Sequence, residues 1–133
     1  MTDLHGPNDK HDFESLEHLS TLPPAEWRHL VPEILEWLQD INWPIFGEAR
    51  KLLFNQPDAV MQPLREILGG DDDAWQYYCM LLIEDLPLEK KKELKDDLVK
   101  FRDRVDEKVD KDWDMKERVD EILSRTEEEL QGE

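Results

Sequence analysis

The sequence lacks most features by which secreted and membrane proteins are recognised. A single cysteine, Cys79, excludes an internal disulfide framework. The N-terminal stretch MTDLHGPNDK does not have the basic-then-apolar pattern of a secretory signal. No apolar run approaches the length of a membrane span. We therefore expect a cytoplasmic protein that has no membrane partner.

Basic residues are also scarce. The chain has 17 basic and 34 acidic residues, a formal charge of −17, and no basic residue lies between Arg65 and Lys90. Such a surface repels nucleic acid, because phosphate binding needs clustered lysine and arginine. It would attract a cation or a basic protein partner. Solubility alone is the other explanation of the acidity.

Catalytic motifs are absent as well. There is no glycine-rich phosphate loop and no G-x-S-x-G, and Gly69-Gly70 is typical of a helix stop. Cys79 lies in an apolar run without a basic neighbour, which predicts a buried, unreactive thiol. We therefore predict no enzymatic activity and no cofactor, with catalysis by carboxylates and histidine as the alternative.

Two places could hold a metal ion. His11 and His18 are seven residues apart, with Asp9 and Asp12 close by, and could form a surface site. Solvated histidines and helix capping are the preferred interpretation, and we predict no metal. The run Asp71 to Asp73 lacks the alternating order of a calcium-binding loop, and we expect at least one of its three acids to cap the next helix.

Helical patterns recur along the whole chain, and alternating strand patterns are nearly absent. The string Glu33-Ile34-Leu35 recurs as Glu66-Ile67-Leu68, and Trp43 recurs as Trp75. This spacing of 32–33 residues is that of a helical repeat. We predict an all-α fold: a short right-handed HEAT-like α-solenoid of antiparallel helix pairs, with about six or seven helices. It would be one domain over residues 1–133, with residues 1–9 and 127–133 flexible.

The predicted helices have the following approximate bounds: 12–20; 24–40, broken or kinked at Pro32; 43–55; 59–68; 73–86; a long helix after Pro87 that reaches at least Val105; and a last helix to about 123. Whether residues 110–112 interrupt the long helix is left open by the sequence.

Tryptophan is abundant, and its positions suggest a binding site. Trp37 follows Ile34 by three residues, which favours a place in the core. Trp43 and Trp75 each follow an acidic turn, so core packing and ligand contact are both open. Aromatic rings beside carboxylates suit a lysine- or arginine-bearing peptide. The candidate partner-binding residues are Asp40, Asn42, Trp43, Asp71, Asp72, Asp73, Trp75 and Tyr77.

These features predict a non-enzymatic binding domain for a basic protein surface, of the immunity or adaptor type. The alternative is a small-molecule or cation pocket at the acidic turns, with weak carboxylate-based catalysis. A structural subunit of an assembly is a third class. We expect a monomer or a weak homodimer.

Three strings resemble a known family: Lys10-His11-Asp12, the segment PEILEWLQDINWP at residues 32–44, and Asp71-Asp72-Asp73-Ala74-Trp75. They closely resemble a small bacterial family known as domain of unknown function 5071. The resemblance runs from about Pro7 and continues more loosely to Leu123, with a departure after Phe101. It implies a helical, HEAT-like domain in a bacterial cytoplasm, and it implies no catalytic residues.

Overall fold

The computed structural model describes residues 4–132, and over these residues the chain is helical, with no strand. The α-helices are α1 (Phe13–Ser20), α2 (Pro24–Trp27), α3 (Val31–Leu35), α4 (Phe46–Leu53), α5 (Met61–Leu68), α6 (Asp73–Glu84), α7 (Leu88–Glu93), α8 (Lys95–Arg104), α9 (Glu107–Trp113) and α10 (Met115–Gln131). Two 3₁₀ turns follow α2 and α3, at Arg28–Leu30 and Glu36–Leu38. The all-α prediction is confirmed, but the predicted count of about six or seven helices is too low, because the described residues form ten α-helices, several of them short.

The chain separates into two compact units, Met1–Pro63 and Leu64–Glu133. The single domain over residues 1–133 therefore stays a prediction. Within the described residues, no helix is both long and apolar enough to cross a membrane.

In the first unit, α4 packs against both α1 and α3. Helix α1 begins behind Asp12, whose carboxylate accepts hydrogen bonds from the Ser15 backbone N–H (3.1 Å) and hydroxyl (2.7 Å), as the sequence predicts. The Ser15 hydroxyl is the main reason that the pKa of Asp12 lies below its ordinary value. The core of this unit is made of the following buried side chains: Leu16, Leu19, Trp27, Val31, Ile34, Leu35, Leu38, Ile45, Phe46, Ala49, Leu52, Leu53, Val60 and Met61.

In the second unit, α10 packs against α6, α7, α8 and α9. Helix α5 ends at Leu68, directly before Gly69-Gly70, as predicted. Its last carbonyls are bound by the buried Gln76 of α6, whose Nε2 donates to Ile67 O at 3.1 Å and to Gly70 O at 2.9 Å. The core contains Leu64, Ile67, Leu68, Cys79, Met80, Leu82, Ile83, Leu86, Leu94, Leu98, Phe101, Met115, Val119 and Ile122.

The predicted long helix after Pro87 is wrong. The chain forms α7, α8 and α9 instead, because a turn at Leu94 and extended backbone at Val105 and Asp106 interrupt it. The Asp106 carboxylate then caps α9 by accepting from the Val109 N–H at 2.9 Å. The break left open at residues 110–112 falls at Asp114, which has left-handed backbone (φ 51°, ψ 42°). Aspartate tolerates this conformation better than most residues.

Two further boundaries differ from the sequence prediction. The helix predicted from Trp43 begins only at Phe46, after a turn. Residues 127–131, predicted as a flexible tail, continue α10 as helix. Residues 1–3 and 133 of the predicted flexible ends lie outside the described residues.

Candidate functional site

The acidic turn of the first unit, residues 40–43, is closed by its own backbone and side chains. Asp40 Oδ1 accepts from the Asn42 N–H at 2.8 Å, and the Asp40 carbonyl accepts from the Trp43 N–H at 3.1 Å. This is an Asx turn. Asp40 and Trp43 are half-buried, and Asn42 is exposed.

Trp43 packs against Trp37, edge to face, with ring centroids 5.3 Å apart and planes at 66°. Both rings are half-buried and line a cavity of about 210 Å³ together with Pro7, Glu33, Glu36 and Gln39. The prediction that Trp37 belongs to the core is therefore wrong. The fully buried neighbouring position is occupied by Leu38.

The acidic turn of the second unit, residues 71–73, has three carboxylates in different environments. Asp71 and Asp72 are exposed, and Asp73 is half-buried. Asp72 caps α6 by accepting from the Trp75 N–H at 3.0 Å. One of the three aspartates is thus the predicted helix cap, and Asp71 is not part of this cap.

Asp73 leads to an aromatic cluster that the sequence analysis missed. Asp73 and Tyr77 are four residues apart on α6 and share one face of the helix. Asp73 Oδ2 accepts from Trp113 Nε1 of α9 at 2.8 Å, and the rings of Tyr77 and Trp113 lie 5.0 Å apart at 34°. Tyr78 completes the cluster, 5.9 Å from Trp113 at 88°. The only sequence signal was the abundance of tryptophan, since nothing local relates positions 40 residues apart.

Trp75 is the residue whose N–H donates to the Asp72 cap. It lies in the first turn of α6, two positions into the helix, and is half-buried. It differs in this from Trp43, which precedes its helix, so the two acidic turns are similar in sequence but not in local structure. Neither tryptophan is fully buried.

A cavity of about 230 Å³ adjoins the second acidic turn. It is lined by Asp71, Asp73 and Asp106, and also by Arg104. The Arg104 guanidinium lies over the Phe101 ring, 5.6 Å from its centroid. This cavity therefore contains a cation that belongs to the protein itself.

Other candidate chemistry finds little support. Cys79 is buried, as predicted, and burial, with a smaller contribution from Asp72, raises the pKa of its thiol far above the ordinary 9.0. Within residues 4–132, no group of three or more histidine, cysteine, aspartate or glutamate side chains could hold a metal ion.

The eight predicted site residues thus divide between the units: Asp40, Asn42 and Trp43 in the first, and Asp71, Asp72, Asp73, Trp75 and Tyr77 in the second. Within the units, the structure adds Trp37 to the former group and Tyr78 and Trp113 to the latter.

Comparison with known proteins identifies the family of this chain. Curated proteins give no match. A family model described as Domain of unknown function (DUF5071) matches residues 6–123, which is most of the chain. The family suggested by the K-H-D, W-L-Q-D-x-N-W-P and D-D-D-x-W strings is confirmed, and the chain belongs to the DUF5071 family.

Proposed function

We propose that this protein is a non-enzymatic binding domain that recognises a basic protein surface. One observation carries the proposal: half-buried aromatic rings pack beside Asp73 in an acidic turn whose other two aspartates are exposed. Tyr77 and Trp113 pack together next to Asp73, while Asp71 and Asp72 are exposed in the same turn. Rings and carboxylates in this arrangement attract lysine and arginine side chains.

The charge of the whole chain supports the same function. A formal charge of −17 raises the rate at which a basic partner associates, and salt weakens that effect. The stretch between Arg65 and Lys90 contains the second acidic turn and no basic residue. A basic partner that approaches this turn is therefore not repelled by any side chain of that stretch.

The proposal has a specific form, an immunity-type or adaptor protein of a bacterial cytoplasm. In this form the helix pairs stack as a short right-handed HEAT-like solenoid, and the protein is a monomer or a weak homodimer. An immunity protein masks a basic toxin, and strong opposite charge suits such fast, tight association.

The alternative is a small-molecule or cation pocket at the acidic turns. The cavity of about 230 Å³ beside Asp71 and Asp73 is the observation in its favour. Arg104 lines the same cavity and already supplies a positive charge to its carboxylates, so the need for a further cation is reduced. For this reason we favour the protein surface over the pocket.

The test is capture of partners from the source cells by the tagged protein, read by mass spectrometry. The variant is Asp71→Asn with Asp72→Asn, because asparagine keeps the cap of α6 while two charges are lost. We expect the wild type to capture a strongly basic protein and the variant to lose most of it.

The matched control is Glu89→Gln with Glu128→Gln, which removes the same charge at two exposed positions of the second unit. It should retain the partner. Equal capture by all three proteins, or capture of proteins that are not basic, would contradict the proposal.

A further inference from the structure

The first unit contains a second arrangement of rings and carboxylates, which we call the Trp notch: Pro7, Glu33, Glu36, Trp37, Gln39 and Trp43. Its cavity measures about 210 Å³. This is smaller than the roughly 300–1,000 Å³ of pockets for drug-sized ligands. The Trp notch therefore has room for one side chain rather than for a larger molecule.

The two tryptophans give the notch its aromatic wall. Their rings meet edge to face at 5.3 Å, which leaves the two ring faces at a steep angle of 66°. Both rings are half-buried, so the contact fixes them while part of their surface stays open to the cavity. A ring face carries negative charge density and attracts a cation that lies over it.

One carboxylate of the notch is held in place by the backbone. The Gly6 N–H donates to Glu33 Oε2 at 3.2 Å. A Cβ at position 6 would lie only 2.9 Å from that oxygen, so a larger residue there would displace the end of the Glu33 side chain. The other oxygen of Glu33 is not used by this bond. A carboxylate that is already oriented loses less conformational entropy when it binds a ligand.

The charges of the Trp notch are all of one sign. Glu33 and Glu36 are exposed carboxylates, and among the described residues no lysine or arginine lines the cavity. This differs from the cavity beside Asp71, which contains Arg104. The notch therefore has an aromatic wall and two carboxylates without an internal cation.

We infer that the Trp notch binds the side chain of an arginine from a partner protein. The planar guanidinium can stack flat on a tryptophan face while its edge donates two parallel hydrogen bonds to a carboxylate, a bidentate geometry that an ammonium does not have. The inference rests on the proposed function, because it names the group that a basic partner presents to the first unit. It adds a site and residues, Glu33, Glu36 and Trp37, that the acidic turns do not include.

The test uses a small probe, the peptide acetyl-Gly-Arg-Gly-amide, added to the ¹⁵N-labelled full chain at constant ionic strength. The readout is the indole N–H signals of the five tryptophans. We expect the signals of Trp37 and Trp43 to shift in a saturable way, while that of the fully buried Trp27 stays in place. The same peptide with citrulline, which has the shape of arginine without its charge, should produce no shift.

Glu33→Gln with Glu36→Gln should weaken binding of the arginine peptide at least about tenfold, since charge-assisted bonds are lost. Glutamine keeps an oxygen that can accept from Gly6. Glu36→Gln alone should weaken binding less, and its fold is not at risk because Glu36 is exposed. The control Glu26→Gln changes one exposed charge elsewhere in the same unit and should bind as the wild type does.

Equal shifts with arginine and citrulline, or arginine shifts that the Glu33 and Glu36 variants leave unchanged, would overturn the inference. The outcome is separable from that of the proposed function. If the Asp71 and Asp72 variant loses the captured partner but the Trp notch does not bind the arginine peptide, only the inference about the notch is wrong. If the Trp notch binds the arginine peptide but the Asp71 and Asp72 variant captures the partner as the wild type does, only the proposed function is wrong.

Discussion

At the scale of single residues, Gln76 determines the geometry of the second acidic turn. Its Nε2 donates to the carbonyls of Ile67 and Gly70, and it lies 3.4 Å from the carbonyl of Leu68. The residue is only 5% exposed, so water cannot easily replace these bonds. The end of α5 and the start of α6 are thereby joined across Gly69-Gly70.

Gln76→Leu, which has a similar volume, should therefore lower the free energy of unfolding by about 2–3 kcal/mol, because it leaves buried carbonyls without a donor. Urea denaturation measures the change. Gln62→Leu, at an exposed position of α5, is the control and should change stability by less than about 0.5 kcal/mol. Equal effects at both positions would show that the Gln76 amide has no such role.

Cys79 gives the protein a specific pH dependence. Burial raises the pKa of its thiol in the folded state, whereas the unfolded thiol ionises at its ordinary 9.0. Above that pH the unfolded state binds fewer protons than the folded state, so the free energy of unfolding falls as the pH rises. Below pH 9 this contribution to stability is fully present.

Between pH 8 and pH 10, the wild type should therefore lose about 1.4 kcal/mol more stability than Cys79→Ala does. Urea denaturation of both proteins at the two pH values isolates the thiol, because every other titratable group is common to the two proteins. Parallel losses in the two proteins would mean that the thiol ionises in the folded state.

The tryptophans show that local sequence patterns do not predict the burial and partners of every single residue. Both Trp37 and Leu38 fall at helical spacing from Ile34, at i+3 and i+4, so periodicity alone does not decide which is buried. The smaller Leu38 is fully buried, and Trp37 lies at the edge of the cavity with Trp43. The partner of Trp113, 40 positions away in α6, could not be found from local patterns.

At the scale of helices, Trp113 attaches the end of α9 to α6. All seven residues of α9 are described, and none of them has a buried side chain. Trp113 at its end makes the hydrogen bond to Asp73 and packs against Tyr77. Left-handed Asp114 then turns the chain into α10.

Trp113→Ala should accordingly speed hydrogen exchange at the amides of α9 by about tenfold or more, because the contacts of Trp113 with Asp73 and Tyr77 of α6 are lost. The amides in the middle of α10 should change much less. Lys111→Ala, at an exposed position in the same helix, is the control and should leave exchange nearly unchanged. Unchanged exchange in α9 of the Trp113 variant would contradict this role.

The last turns of α10 carry two ion pairs that differ in burial. Lys91 of α7 is 7% exposed and donates to Glu129 at 3.1 Å. Lys95 of α8 and Glu127 are 2.6 Å apart, and about half of each side chain is exposed. A buried lysine without its partner is costly, whereas an exposed pair contributes little.

Glu129→Gln should therefore destabilise the protein by about 1–2 kcal/mol, which is below the cost of breaking a fully buried pair because Glu129 is half-exposed. Glu127→Gln should change stability by at most about 0.5 kcal/mol. Adding Lys91→Met to Glu129→Gln should recover most of the loss in urea denaturation. If the two single variants lose equal stability, burial of Lys91 is not the cause.

Helix starts were more predictable than helix interruptions. The sequence predicts a cap at Asp12 and a cap by at least one of residues 71–73, and in the structure Asp12 caps α1 and Asp72 caps α6. Capping needs only a short side chain at a fixed offset, which local sequence shows. The interruptions at Leu94 and Asp114 have no proline or glycine to mark them. Helix α10 packs against α7, α8 and α9, on both sides of these interruptions, and such tertiary contacts are not visible in local sequence.

At the scale of the whole molecule, the central claim is that the acidic charge is directed at a partner rather than at solubility alone. Charge that serves solubility acts as a sum, so any two exposed carboxylates should be equivalent. Charge that serves recognition depends on its position. Two pairs of exposed carboxylates in the second unit allow the comparison: Asp71 and Asp72 lie in the acidic turn, and Glu89 and Glu128 lie outside it.

The decisive measurement is the rate of association with the captured basic protein, followed by stopped-flow fluorescence across a salt series. The wild type should associate faster as salt is lowered, and Asp71→Asn with Asp72→Asn should show a lower rate and a shallower salt dependence than Glu89→Gln with Glu128→Gln. If the two charge-matched variants have the same rates at every salt concentration, position does not matter and the account of a recognition surface at the acidic turn is wrong.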